Sequence, residues 1–220
     1  FWHYADSQAA VTDALRLSRG MSYKNAMAGL SAGGGKAVIL ANPARTKPQD
    51  MLDAFARAVD SLGGKYITAQ DVGMSEADMV SLSKVTSHVA GLPDQGGDPG
   101  PYTARGVFLG VQAAAKHALG TDDMSGVHVA IQGVGSVGGG LARYLADHGA
   151  KLTLADVDAQ RAADLAVELG GKSVAATDIM NVEADIFSPC ALGAILTEAS
   201  VSALKVRAVA GGANNQLATG

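Results

Sequence analysis

The chain has 220 residues, of which 48% are hydrophobic and 17% are charged, and this balance excludes a disordered chain and predicts one or two globular domains. Its 17 basic and 21 acidic residues give a net charge of −4, so nucleic acid is not an expected partner. The single cysteine, Cys190, excludes an internal disulfide and favours a reducing, cytoplasmic compartment, and no apolar run reaches the roughly 18 residues of a membrane span.

The first half of the chain is predicted to alternate helices with short apolar strands. Ser7 is a suitable N-cap for the first helix, and a glycine-rich turn over 29–36 precedes the first strand. We expect helices over 6–29, over 48–62 and from about residue 75, and buried strands over 37–40 and 65–69.

A linker is predicted over 91–101, because three prolines and four glycines in this stretch cannot continue a helix or a central strand. The domain boundary is therefore placed here, with a first domain over 1–94 and a second over 95–220. A long helix, about 102–118, opens the second domain.

The second domain alternates strands with helices, a pattern that predicts a doubly wound, parallel α/β sheet. Strands are expected over 127–131, 151–155, 174–175, 184–188 and 208–210, with helices at about 136–148, 158–169 and 197–204.

The most specific motif is the glycine-rich turn that leaves the first of these strands and opens a helix. It consists of Gly133, Val134, Gly135, Ser136, Val137 and Gly138. Glycines in this position let the backbone approach a pyrophosphate, and the helix N-terminus supplies free N–H groups. Asp156 ends the next strand, where a carboxylate can accept the ribose hydroxyls and favour NAD over NADP, although Arg161 lies close in sequence. A glycine turn without a dinucleotide is the alternative.

Three charged residues of the first domain form a second candidate site. Lys36 follows three glycines at the edge of a predicted core, where desolvation lowers a lysine pKa and makes the amine a usable base. Asp71 follows a predicted strand and could exchange a proton with an amine, and Lys24 could bind a carboxylate. Spacing alone favours three ordinary surface charges.

Motifs along the whole chain resemble those of the glutamate, leucine, phenylalanine and valine dehydrogenases, and are most similar to the leucine dehydrogenase branch. They are 21–26 (MSYKNA), 28–30 (AGL), 33–36 (GGGK), 68–73 (TAQDVG), 98–99 (DP), 103–104 (TA), 132–138 (QGVGSVG), 189–194 (PCALGA) and 212–217 (GANNQL). The resemblance implies an α/β fold of two domains with a cleft between them. The first is an incomplete N-terminal α/β catalytic domain, and the second is a Rossmann domain that binds NAD.

The resemblance also implies a role for each matching residue. Lys36 and Asp71 would be catalytic, and Lys24 would bind the substrate carboxylate. Asn214 and Asn215 would contact the substrate or the nicotinamide ribose. Further contacts to the cofactor are expected from Thr103, Cys190, Ala191, Asp156 and the turn over 133–138, although Cys190 alone is more simply interpreted as a small core residue. Gln70 stands where the family often has Glu. No histidine spacing indicates a metal site.

The implied reaction is the reversible, NAD-dependent oxidative deamination of an L-amino acid to a 2-oxo acid and ammonia, with a branched aliphatic substrate. Phenylalanine, valine or glutamate specificity, or a non-catalytic NAD-binding protein, are the alternatives. The resemblance further implies a homo-oligomer, a dimer or an octamer. It also implies that segments of the family's substrate pocket lie before Phe1 and after Leu217.

Overall fold

The computed structural model describes residues 1–41, 47–96, 98–191 and 193–218. Within them the chain forms two compact units, Phe1–Pro99 and Gly100–Gly220. The helices are α1 (Ser7–Met27), α2 (Gln49–Asp60), α3 (Glu76–Ser83), α4 (Gly100–Leu119), α5 (Ser136–Asp147), α6 (Ala159–Glu168) and α7 (Glu198–Ala203). The strands are β1 (His128–Gln132), β2 (Lys151–Ala155), β3 (Lys172–Ser173), β4 (Ile186–Pro189) and β5 (Ala208–Val209). Among the described helices, none has the length and apolar character needed to cross a membrane.

The second unit contains a five-stranded sheet in the order β3-β2-β1-β4-β5, and every neighbouring pair is parallel. This is the doubly wound arrangement that strand–helix alternation predicted. The chain passes from β1 to β2 on one side and later returns to β4 on the other side, so the order reverses beside β1. In open α/β sheets ligands bind at the carboxyl ends of the strands where such a reversal occurs.

Apolar side chains on both faces of this sheet explain its stability. On one face the sheet packs with helices α4, α5 and α6 through Val111, Leu141 and Leu165, which are buried. On the other face Phe187 and Ile179 form a second cluster. Burying one such side chain contributes about 1.5–3 kcal/mol, so the sheet is a rigid base for the loops at its carboxyl edge.

The first unit is built mainly on packing between helices, and here the strand predictions were wrong. Residues 37–40 and 65–69 form only single bridges, Leu40 with Trp2 and Thr68 with Val89. A strand needs a ladder of backbone hydrogen bonds, and Leu40 is half exposed rather than buried. The core lies instead between α2 and α3, where Leu52 meets the fully buried Leu82.

Several predicted helix boundaries also differ in detail. The N-cap of α1 is Asp6 rather than Ser7, because the Asp6 carboxylate accepts the N–H of Ala9 at 2.7 Å. The described part of the predicted linker contains a 3₁₀ turn, Pro93–Gln95, and α4 already begins at Gly100. Gly97 of the linker and Leu192 of the 189–194 motif lie outside the described residues.

Candidate active and dinucleotide-binding sites

In the first unit the structure brings Lys36 and Asp71 together as an ion pair, with Nζ of Lys36 against Oδ2 of Asp71. The two residues lie 35 positions apart. Lys36 follows the glycine-rich turn, and Asp71 opens the turn that leads into α3. Only 19% of the Lys36 side chain is exposed, whereas Asp71 is 39% exposed. The pair is therefore shielded on the lysine side and accessible on the carboxylate side.

The surroundings of Lys36 make its ammonium easy to deprotonate. Burial lowers the pKa of Lys36, and the positive charge of Lys24 lowers it further, while the carboxylate of Asp13 acts in the opposite direction. The contact with Asp71 provides an acceptor for the proton. The amine and the carboxylate are thus placed to act as a base and a proton carrier at one site.

The glycine-rich turn places Lys36 by packing directly on α1. A Cβ added at Gly34 would lie 1.9 Å from the carbonyl oxygen of Ser18, so only glycine fits there. Asn25, beside Lys24 in the last turns of α1, donates its side-chain amide to the carbonyl of Gly33 at 2.6 Å. These contacts consequently fix the position of Lys36 relative to Lys24.

Three polar side chains near this pair were not predicted as functional. The hydroxyl of Tyr4 donates to Asp13 at 2.6 Å, and burial together with this bond raises the pKa of Tyr4 to about 12. The Tyr4 hydroxyl thereby holds the Asp13 side chain in place, and the negative charge of Asp13 acts on Lys36. Gln70, next to Asp71, has a buried Oε1 without a hydrogen-bond partner among the described residues. No spacing rule connects Tyr4 or Asp13 with Lys36, so the sequence offered no signal for them.

In the second unit the turn between β1 and α5 has the geometry that its glycines predicted. Gly133 adopts a positive φ of 87°, and a Cβ there would lie 2.8 Å from Cβ of Ala191. A Cβ at Gly138 would lie 1.9 Å from the carbonyl oxygen of Gly133. By contrast, the space next to Gly135 is open, and this residue is the exposed N-cap of α5. The first turn of α5 therefore faces a gap that an anionic group could occupy.

Asp156 lies beside the same turn, at the end of β2. Its Oδ2 accepts the backbone N–H of Val134 at 2.8 Å, and its Oδ1 accepts that of Asp158 at 3.0 Å. The guanidinium of Arg161 reaches the same Oδ1 at 3.2 Å. Only 9% of the Asp156 side chain is exposed, so its position is fixed by the protein itself.

The other predicted cofactor residues lie directly after β4, in the segment that follows β5 and in the first turn of α4. Cys190 and Ala191 follow β4 directly, and the Cys190 N–H donates to the carbonyl of Gln132 at 2.7 Å. Burial raises the pKa of the Cys190 thiol, which keeps it neutral. Asn214 is exposed, whereas Asn215 has a positive φ of 47° and accepts from Ala194 at 2.6 Å. Thr103 lies exposed in the first turn of α4, and Val137 packs near Gly212.

These residues fit a dinucleotide. The gap at Gly135 and the helix N-terminus suit a diphosphate, and Asp156 suits a ribose. Two buried polar atoms near this edge, Oε1 of Gln132 and Nδ2 of Asn215, have no partner within the described part of the chain. A polar ligand would satisfy such atoms. The described residues contain no cluster of side chains that could hold a metal ion.

Both units match one protein family. Residues 1–88 match the family described as Glu/Leu/Phe/Val dehydrogenase, dimerisation domain, and residues 98–160 match the family Glutamate/Leucine/Phenylalanine/Valine dehydrogenase. Over 98% of its length the chain is 48% identical to the leucine dehydrogenase of Geobacillus stearothermophilus, and over 97% it is 46% identical to the L-tryptophan dehydrogenase of Nostoc punctiforme. It spans 60% of the length of each of these relatives.

A solved structure agrees with these matches. The crystal structure of L-tryptophan dehydrogenase from Nostoc punctiforme superimposes with a TM-score of 0.72 at 44% identity, covering 97% of this chain and 61% of that one. The resemblance expected from the motifs is thereby confirmed, and so is the Rossmann-type α/β fold. The chain belongs to the Glu/Leu/Phe/Val dehydrogenase family.

Proposed function

We propose that this chain is part of an enzyme that catalyses the reversible, NAD-dependent oxidative deamination of an L-amino acid to its 2-oxo acid and ammonia. The observation that carries the proposal is the partly buried ion pair between Lys36 and Asp71, near a further positive charge on Lys24. Such a site combines a base, a proton carrier and an anion-binding group, which are the three functions that this deamination needs.

The residues of the first unit supply the acid–base steps. The Lys24 ammonium binds the substrate α-carboxylate as a point charge. Asp71 takes a proton from the substrate ammonium, so that the nitrogen lone pair can assist loss of hydride from the α-carbon. Neutral Lys36 then takes a proton from the water that attacks the resulting iminium carbon. Asp71 returns its proton to the nitrogen, which leaves as ammonia, and the ionised Asp71 carboxylate then accepts the hydroxyl proton, so that the water oxygen becomes the keto oxygen.

The residues of the second unit supply the cofactor site. The turn over 133–138 and the N-terminus of α5 would hold the diphosphate, and Asp156 would bind the adenosine ribose. We assign Thr103, Cys190, Ala191, Asn214 and Asn215 to the nicotinamide half on the family resemblance. When bound, the nicotinamide ring supplies the hydride-accepting chemistry of the reaction.

For the substrate we propose a branched aliphatic L-amino acid, because leucine dehydrogenases recur among the relatives at 44–48% identity. Aromatic specificity is the second candidate, because an L-tryptophan dehydrogenase is 46% identical.

We also propose that the first domain carries substrate chemistry and the second binds NAD, with the boundary near residue 95. The protein is proposed to work in the cytoplasm as a homo-oligomer, since the first matched family is described as a dimerisation domain.

The reaction is tested by measuring NADH formation from a panel of L-amino acids with the complete protein. Lys36→Ala should lower kcat at least about a hundredfold, because general base catalysis contributes typically 10²–10⁴-fold. The exposed Lys65→Ala is the matched control and should retain the parent rate. Turnover of Lys36→Ala within a few-fold of the parent would contradict the proposed mechanism. If an aromatic amino acid of the panel is oxidised faster than the branched aliphatic ones, the substrate assignment is wrong but the proposed reaction stands.

The dinucleotide site is tested by titrating NADH and following its fluorescence. Gly138→Ala should weaken NADH binding about tenfold or more, because its methyl group cannot coexist with the Gly133 carbonyl in the diphosphate turn. Gly106→Ala in α4 is the matched control, since a Cβ there meets nothing within 4 Å. If both variants bind NADH as tightly as the parent, the turn is not part of the binding site.

The choice between NAD and NADP is tested at Arg161. Its guanidinium lies 3.2 Å from Asp156 and is 48% exposed, so it offers a positive charge to a 2′-phosphate that Asp156 repels. Arg161→Gln should therefore weaken NADPH binding by a larger factor than NADH binding. The ratio of the two dissociation constants, measured by fluorescence titration, checks this. A parent protein that binds NADPH more tightly than NADH would overturn the assignment of NAD.

A further inference from the structure

A second lysine, Lys47, contacts the turn that carries Asp71. Its Nζ donates to the carbonyl oxygen of Gly73 at 2.8 Å and forms an ion pair with Oδ2 of Asp78. Only 23% of the Lys47 side chain and 13% of the Asp78 side chain are exposed. The pair is thus better shielded from water than an ordinary surface ion pair, whose attraction is weakened by water and salt.

Asp78 is held as firmly as Lys47. Its Oδ2 accepts the backbone N–H of Ser75 at 2.7 Å and the Ser75 hydroxyl at 2.9 Å, and together these residues cap α3. Burial alone would raise the pKa of Asp78, but the hydrogen bonds from Lys47 and Ser75 outweigh burial and lower it. Asp78 is therefore a carboxylate across the neutral pH range, and the ion pair persists there.

The turn between Asp71 and Ser75 transmits this anchoring to the candidate site. Met74 N–H donates to the carbonyl of Asp71 at 2.9 Å, and Val72 N–H donates to the Asp71 carboxylate at 2.8 Å. Gly73 lies in the middle of the turn with a φ of 76°. Fixing the Gly73 carbonyl consequently fixes the plane of the turn and the direction in which Asp71 leaves it.

Lys47 itself is anchored on a different part of the fold. It lies two residues before α2, and α2 packs on α3 through the buried Leu52 and the fully buried Met79. Lys47 thus connects the N-terminal end of α2 with the turn that precedes α3. The Phe1 ring lies 5.8 Å from Nζ and covers it on one side.

We propose that Lys47 is a positioning residue for the deamination, which acts with Asp78 to hold the turn over 71–74 so that the Asp71 carboxylate stays against Lys36. This inference rests on the proposed function. Lys47 does not touch the reacting atoms in this account. Its effect is transmitted through the Gly73 carbonyl to Asp71, and the proton transfer between Asp71 and the substrate nitrogen depends on the position of that carboxylate.

The test compares steady-state kinetics of the complete protein with Lys47→Met, Lys47→Arg and Asp78→Asn. Lys47→Met should lower kcat about tenfold, a smaller loss than the roughly hundredfold that a 1 Å misplacement of a catalytic group can cause. The KM for NAD should be nearly unchanged. Lys47→Arg should recover most of kcat, because a guanidinium can donate to both Gly73 and Asp78. The matched control is Lys116→Met, which removes the lysine of the exposed ion pair with Asp122 and should leave kcat unchanged.

A double-mutant cycle separates positioning from general stabilisation. In an Asp71→Asn background, Lys47→Met should have no further effect on kcat, because the group that it positions has already been lost. A tenfold loss that persists in this background, or a kcat of Lys47→Met equal to the parent, would overturn the proposal. Should Lys47→Met not fold, Asp78→Asn gives the same test, because asparagine still accepts the Ser75 N–H. If Asp71→Asn alone is fully active, the proposed function fails first, and the two failures are thereby distinguished.

Discussion

A lysine that is shielded from water and paired with a carboxylate is the constraint on which the candidate active site depends. Taking an ammonium out of water is costly unless a counter-charge accompanies it, and removing one partner leaves an uncompensated charge. Lys36 meets this condition through Asp71, while Lys24 adds a second positive charge close to the pair. Burial and the charge of Lys24 favour the neutral amine of Lys36, and the Lys24 ammonium also attracts a carboxylate.

The rest of the first unit can be understood as the means of holding that pair. Glycine at position 34 lets the turn before Lys36 contact α1, and Asn25 ties the turn to the helix that carries Lys24. On the other side, Lys47 and Asp78 fix the turn that carries Asp71. The second unit uses glycine in a related way. Close approach of Gly133 to Ala191 and of Gly138 to Gly133 brings a helix N-terminus to the carboxyl edge of the sheet.

Candidate site residues could be named from the sequence where a function needs particular residue types at a fixed spacing. The tight turn at Gly133 and Gly138 could be predicted from the glycine spacing, whereas the binding of a diphosphate there and of a ribose by Asp156 stay predictions. Lys36 and Asp71 could be named on the family resemblance, whereas spacing alone left them as ordinary charges. The sheet followed from alternation of strands and helices, because parallel strands need crossover helices.

What could not be predicted depends on contacts between distant positions. Strand-like composition at 37–40 was misleading, because a strand forms only where partners complete the ladder, and there Trp2 alone bridges Leu40. Asp6 and Ser7 are both good N-caps, and only the backbone decides between them. Lys47 meets Asp78 across 31 positions, and no spacing rule relates the two. Positioning residues of this kind are therefore visible only once the fold is known.

The central claim is that the amine of Lys36 loses its proton more easily than an ordinary lysine, and its titration tests this most directly. In the complete protein, competitive labelling with acetic anhydride over a range of pH, analysed by mass spectrometry, reports the pKa of each amine. Lys36 should titrate clearly below the ordinary lysine value of about 10.4. Lys116, whose pKa is raised by Asp122, should titrate above that value in the same samples. A Lys36 that titrates at or above the ordinary value would contradict the account.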